Sequence, residues 1–137
     1  AMAALTQGLD RPGAARQLKA LLSGLADVMI LSEEIAEAAG FVGREMRDPG
    51  LAYQYLYSNL WAPGTELAAR LTAAAKGHKK ICEADRVDAI MLISGISAFV
   101  PGTSVSMDIM RWPTAGQRGK ALVLERLSAQ IDTWVDT

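Results

Sequence analysis

The sequence predicts an all-α fold, a helical bundle of about five main helices. Three observations carry that reading. Apolar residues recur at i, i+3 and i+4 over several long stretches, the spacing of a helix face. Alanine and leucine are abundant while aromatics make up only 6% of the chain, a balance that favours helix over sheet. Strand-like alternation and hairpin turn signals are absent. The 137 residues suffice for one domain that buries about two-thirds of its unfolded surface.

The chain is organised around Asp85 to Arg111, and within it the run VDAIMLISGISAFV, residues 87–100. On a helix at 100° per residue, Val87, Ile90, Met91 and Ala98 share one arc. Ala89, Leu92, Ile93, Ile96, Phe99 and Val100 share the roughly opposite arc. A helix apolar on both sides must be covered on both sides. Two coverings are possible: its own chain all round, or its own chain on the wide arc and a second copy on the other. A membrane span is not expected, because the run falls short of the ~20 apolar residues a bilayer needs and Pro101-Gly102 ends it.

In chain order, residues 1–13 read as a lead-in whose first two residues resemble a tag remnant. Residues 14–137 read as a single domain. A first helix is expected from about Ala14 to Leu31, on the spacing of Leu18, Leu21, Leu22, Leu25, Val28 and Met29. Ser32 is placed to cap a second helix, with Glu33 and Glu34 in its positive first turn and Ile35, Ala38, Ala39, Val42 and Met46 on its inner face. Arg47-Asp48-Pro49 ends it, since a residue before proline avoids the α region. Leu51 to Trp61 follows, interrupted at Pro63-Gly64 and resumed from Glu66 to Lys76. Leu56, Leu60, Leu67 and Leu71 stay in phase across the break, as in one kinked helix. Glu66 and Arg70 form an i, i+4 pair. Gly77 to Glu83 reads as a surface loop. VSMDIM, after Pro101-Gly102, continues as helix. Thr114 and Gln117 match a capping box for a last helix to about Val135, with Leu124, Leu127, Ile131 and Trp134 on a bundle seam.

Chemistry-bearing motifs are sparse. His78 is the one histidine and has no second ligand at a recognisable metal spacing. Cys82, the one cysteine, cannot form an internal disulfide and lies in no nucleophile motif. Glu33, Glu34 and Glu37 lack the Glu-x-x-His partners of a di-iron bundle. No phosphate-cradling glycine motif occurs. No catalytic residue, metal or cofactor is therefore expected. Formal net charge is −1, without the basic surplus of a domain that grips DNA by itself. The sequence shows neither a secretory signal nor a lipidation motif, and a cytoplasmic location is expected. The aromatic residues gather at Phe41, Tyr53, Tyr55, Tyr57 and Trp61, near Met46. Such a cluster fills a core or walls a ligand pocket; the kink at Pro63 beside it favours a cavity.

The stretch FVGREMRDPGLAYQYLYSNLWAPGTELAARL, and then AIMLISGISAFV followed by MRWPTAGQ and an amphipathic final helix, resemble the C-terminal domain of TetR-family transcriptional regulators of the CecR-like branch. The resemblance spans roughly residues 14–135. It implies a domain that binds a small effector and forms a homodimer. In that family the last two long helices of each subunit build an intersubunit four-helix bundle. It further implies that operator DNA is read by an N-terminal helix-turn-helix domain, no trace of which is visible in this sequence. On this reading a hydrophobic or amphipathic effector contacts Phe41, Met46, Tyr53, Tyr57, Trp61, Met91 and Phe99. The dimer contacts are Val87, Ile90, Ser94, Ala98, Leu124, Leu127, Ile131 and Trp134, with Ser94 and Ala98 small enough for close approach. The alternative is a stand-alone helical interaction module with no DNA-binding role. An enzyme has no constellation of residues to support it.

Overall fold

The computed structural model describes residues 8–31, 62–100 and 104–136, together with Gln54 and Ser58. Among the described residues there are five α-helices and no strand: α1 Arg11–Leu31, α2 Ala62–Lys76, α3 Glu83–Ser97, α4 Ser104–Met110 and α5 Gly116–Val135. The expected second helix, and all of Leu51–Trp61 except Gln54 and Ser58, lie outside the described residues.

Helix α1 begins three residues before the expected Ala14, because Asp10 caps it. The Asp10 carboxylate accepts the Gly13 N–H at 2.7 Å and its carbonyl accepts the Ala14 N–H at 2.9 Å. Pro12 stands in the first turn, where a missing N–H costs nothing. The inner face is Ala14, Leu18, Leu22, Ala26 and Ile30, all buried. Leu21, Leu25 and Met29 flank it half-buried, while Val28 is exposed.

Helix α2 starts at Ala62 and carries Pro63 and Gly64 in its first turn, earlier than the expected restart at Glu66. Its buried side is nearly all alanine, with Ala68, Ala69, Ala73 and Ala75 beside Leu71. So slim a face lets neighbouring helices come close. The helix stops in a Schellman turn: His78 N–H bonds the Ala73 carbonyl at 2.9 Å and Gly77 N–H the Ala74 carbonyl at 3.1 Å. Gly77 adopts φ 81°, a conformation open to glycine and strained for other residues. Arg11 fastens this end. Its Nε donates to the Ala75 carbonyl at 3.0 Å and its Nη2 to the Trp134 carbonyl. One guanidinium thus serves the negative C-terminal ends of two helices, α2 and α5.

Helix α3 presents Ala89, Leu92 and Ile96 inward, with Ile93 and Phe99 half-buried and Val100 buried beyond its end. The residues expected to continue as helix after the break form α4. Its Val105 and Ile109 are 70% and 75% exposed, so α4 adds little to the core. Helix α5 begins at Gly116, but not through the expected Thr114–Gln117 capping box. The N-cap position falls on Ala115, which has no side-chain acceptor, and Gly116 turns the chain at φ 61°.

Packing closes these elements around one core. Helix α1 packs against α2 and α5, and α2 against α3, with lighter contacts joining α1 to α3 and α5 to both α2 and α3. Leu18, Leu22, Leu92, Ile96 and Ile131 are the largest apolar side chains fully inside. Each contributes about 1.5–3 kcal/mol by leaving water. At Gly95 α3 comes close to α5: a Cβ there would lie 3.2 Å from Leu127 Cδ2.

Candidate functional site

The outer side of α3 is the first distinctive surface. Val87, Ile90 and Met91 are 54%, 51% and 60% exposed, and Ser94 and Ala98 are exposed with them. On the helix these five lie opposite Ala89, Leu92 and Ile96. One side of α3 is thus covered by its own chain, while the other presents apolar side chains to solvent. Met91, expected to line a pocket, lies on this outer face, more than a quarter-turn away from the buried stripe. Phe99, the other pocket residue expected from this region, is half-buried against Trp112, with ring centroids 5.9 Å apart. Phe41, Met46, Tyr53, Tyr57 and Trp61 lie outside the described residues.

The expected seam on α5 is used differently. Leu127 and Ile131 are buried in the subunit's own core, and Leu124 and Trp134 pack half-buried against it. Trp134 also lies beneath the Lys76 ammonium, 5.1 Å from its ring centre. Within one chain α1, α2 and α3 pack against α5, so Leu127 and Ile131 are already covered and Leu124 and Trp134 are covered in part. Leu122 is the large apolar side chain that α5 leaves exposed, at 41%.

Cavities open between the described elements. An apolar hollow of about 360 Å³ lies between α1 and α2, lined by Gln17, Ala20, Leu21, Leu67 and Leu71. Its size falls in the range of small-molecule sites, and Gln17 supplies a polar group among aliphatic walls. A broader cleft of about 790 Å³ lies at the junction of the lead-in, α2, the 77–82 loop and α3. Arg11, Arg70, Lys79, Lys80 and Arg86 line it, against Asp10 and Glu66. Glu66 binds Arg86 across to α3 and stands 3.8 Å from Arg70, so the expected i, i+4 pair is the looser of its two contacts.

Beside that cleft is a polar cluster that the sequence reading missed. Asp85, in the first turn of α3, is fully buried. Its Oδ2 accepts the Cys82 N–H at 3.0 Å, receives the Cys82 thiol at 3.2 Å and pairs with His78 Nδ1 at 3.0 Å. Its Oδ1 is buried and faces Lys76 Nζ at 3.0 Å, a contact more ionic than directed. Lys76 also binds Asp88 one turn further along α3. Burial pushes the Asp85 carboxyl up, but the interactions with His78, Cys82 and Lys76 outweigh it and hold the group well below the usual carboxylate range. Burial likewise pulls Lys76 down, and Asp88 and Asp85 together raise it above its ordinary value. His78 and Cys82 had seemed isolated because sequence distance hides the Schellman turn that brings them together. Two signals were present: Gly77 just past the helix end, and an acidic residue three positions after Cys82, the spacing of a reciprocal cap.

The described residues thus form an all-helical bundle, with a central helix apolar on both sides and a long final helix packed beside it. The chain matches the family model for the C-terminal domain of the HTH-type transcriptional dual regulator CecR over residues 14–135. It therefore belongs to that family, a TetR-type regulator C-terminal domain. No curated protein and no solved structure matches it. No helix among the described residues is long and apolar enough to cross a membrane.

Proposed function

We propose that this domain forms the homodimer of a cytoplasmic TetR-type regulator and binds a small hydrophobic or amphipathic effector. Effector binding then controls operator binding by a helix-turn-helix domain elsewhere in the regulator. The observation that carries the reading is the outer face of α3. Val87, Ile90 and Met91 are large and apolar yet half or more exposed, and Ser94 and Ala98 beside them are small. Covering the exposed parts of those three large side chains contributes about 1 kcal/mol each per subunit. A twin helix is a fitting cover, because Ser94 and Ala98 allow backbones to approach. The complete interface of an obligate dimer of this kind buries roughly 2,000 Å² or more.

The effector half of the reading is supported by the hollow between α1 and α2, whose lining among the described residues is apolar apart from Gln17. For an effector to act on DNA binding it must bind the two arrangements of the dimer with different affinity. The reading is tested by sedimentation of the Ile90→Asp variant. The wild-type protein is expected to sediment as a dimer and the variant as a folded monomer with the same helix content. A wild-type monomer, or a variant dimer of unchanged stability, removes α3 from the interface. Leu127→Asp cannot serve this purpose, because it places a charge in the subunit's own core.

A further inference from the structure

We propose that His78, Cys82 and Asp85 form a binding site for a divalent transition-metal ion of the zinc class. The three side chains offer an imidazole nitrogen, a sulfur and a carboxylate oxygen, all within 4.8 Å of one another. Asp85 is the fixed member. It is fully buried, its Oδ2 is held by the Cys82 N–H, and its Oδ1 is held against Lys76. That leaves Oδ2 directed at His78 Nδ1 and Cys82 Sγ, at 3.0 and 3.2 Å. A tetrahedral zinc ion binds such atoms at about 2.0–2.3 Å, which spaces neighbouring ligand atoms roughly 3.3–3.7 Å apart. The two edges to Oδ2 must widen slightly, and the edge between Nδ1 and Sγ, within 4.8 Å, must settle to the same spacing. His78 and Cys82 are exposed, so both side chains have room to make that adjustment.

Charge favours the same occupant. A Cys82 thiolate and the Asp85 carboxylate neutralise a divalent ion, while Lys76 keeps Asp88 as its counter-ion. On binding, the thiol proton now donated to Asp85 passes to solvent, and the Nδ1–H of His78 that now donates to the Asp85 carboxylate is given up, the neutral imidazole then carrying its one N–H on Nε2, so that Nδ1 is free to coordinate. The donor set also selects. Sulfur with imidazole suits zinc or cobalt and discriminates against magnesium and calcium, which take oxygen ligands. Three protein ligands leave a fourth position for water or an incoming anion. His78 lines the basic cleft, so that position has access to it. The backbone already supports the geometry: the Schellman turn sets His78, and the start of α3 sets Cys82 and Asp85.

Titration of the purified, reduced protein with Co²⁺ tests the site. One equivalent should produce a thiolate-to-cobalt charge-transfer band in the near ultraviolet and intense tetrahedral bands in the visible. Zn²⁺ should displace it one for one, and excess Mg²⁺ should not. Cys82→Ser should abolish the charge-transfer band, and His78→Ala should weaken binding at least tenfold. Both residues are exposed, so both variants should keep the helical circular dichroism of the wild type. A wild-type protein without the band, or one whose affinity is unchanged in His78→Ala, overturns the proposal and leaves Asp85 as a helix cap alone.

Discussion

Helices α3 and α5 carry apolar residues at the same spacing, yet the molecule uses them differently. On α5 the stripe Val123, Leu127 and Ile131 is buried within the subunit, and the opposite side holds charged residues such as Glu125 and Arg126. On α3 an equally good stripe, Ala89, Leu92 and Ile96, is buried, and a second apolar face remains outside. An apolar stripe at helical spacing reports only that a face avoids water. One such stripe per helix is what folding of a single chain consumes. The surplus on α3 therefore stays exposed and is free to meet another molecule, whereas the stripe on α5 is not.

The contrast can be broken most directly with matched truncations. Ile131→Ala should destabilise the subunit by about 3 kcal/mol in chemical denaturation, since it opens a cavity at a fully buried site. Ile90→Ala, at a site 51% exposed, should cost the isolated subunit less than about 1 kcal/mol and act on self-association instead. A large stability loss from Ile90→Ala that is independent of protein concentration would reverse the assignment of the two faces.

Next in size is the junction that ties α2 to α3. Asp85→Asn should cost about 2–3 kcal/mol at neutral pH, because it leaves buried partners without their charge. The pH dependence has a definite sign. The folded-state carboxyl is held below its ordinary value of 3.8, so its stabilisation is fully present above that value. It is lost as pH falls from about 4 toward the lower folded value. Wild-type protein should therefore lose stability steeply on acidification below about pH 4, while Asp85→Asn should follow a flatter curve that approaches it. Parallel curves for the two proteins would show that Asp85 titrates alike in both states.

The smallest effect is expected at the exposed ion pairs that span the bundle. Lys120 reaches Asp27 of α1, and Asp27 is 54% exposed. Lys120→Ala should shift stability by less than about 1 kcal/mol, and less again in high salt. A larger loss would mean that the α1–α5 contact depends on charge more than on the Leu and Ile side chains between them.

Much of the bundle was legible beforehand because helix faces are written in local spacing. Leu18, Leu22, Leu71, Leu92 and Ile96 were all placed on inward faces, and all are buried. Helix ends were less legible. Asp10 began α1 earlier than expected, and Thr114 did not cap α5, because a cap depends on how the preceding turn aims a side chain. Least legible was the cluster at Asp85. His78, Cys82 and Lys76 stand on different turns of chain, and no periodic pattern links them. Only the closure of the loop between α2 and α3 brings them to one carboxylate.

Spacing and composition determined by themselves that this chain is helical, which faces shun water, and that α3 has two of them. Tertiary structure decided what covers each face: Leu127 and Ile131 went to the subunit's own core, and Val87, Ile90 and Met91 did not. The reason is physical. The free energy of burying an apolar side chain depends on the area removed from water and not on which molecule removes it, so the cover is chosen by chain geometry.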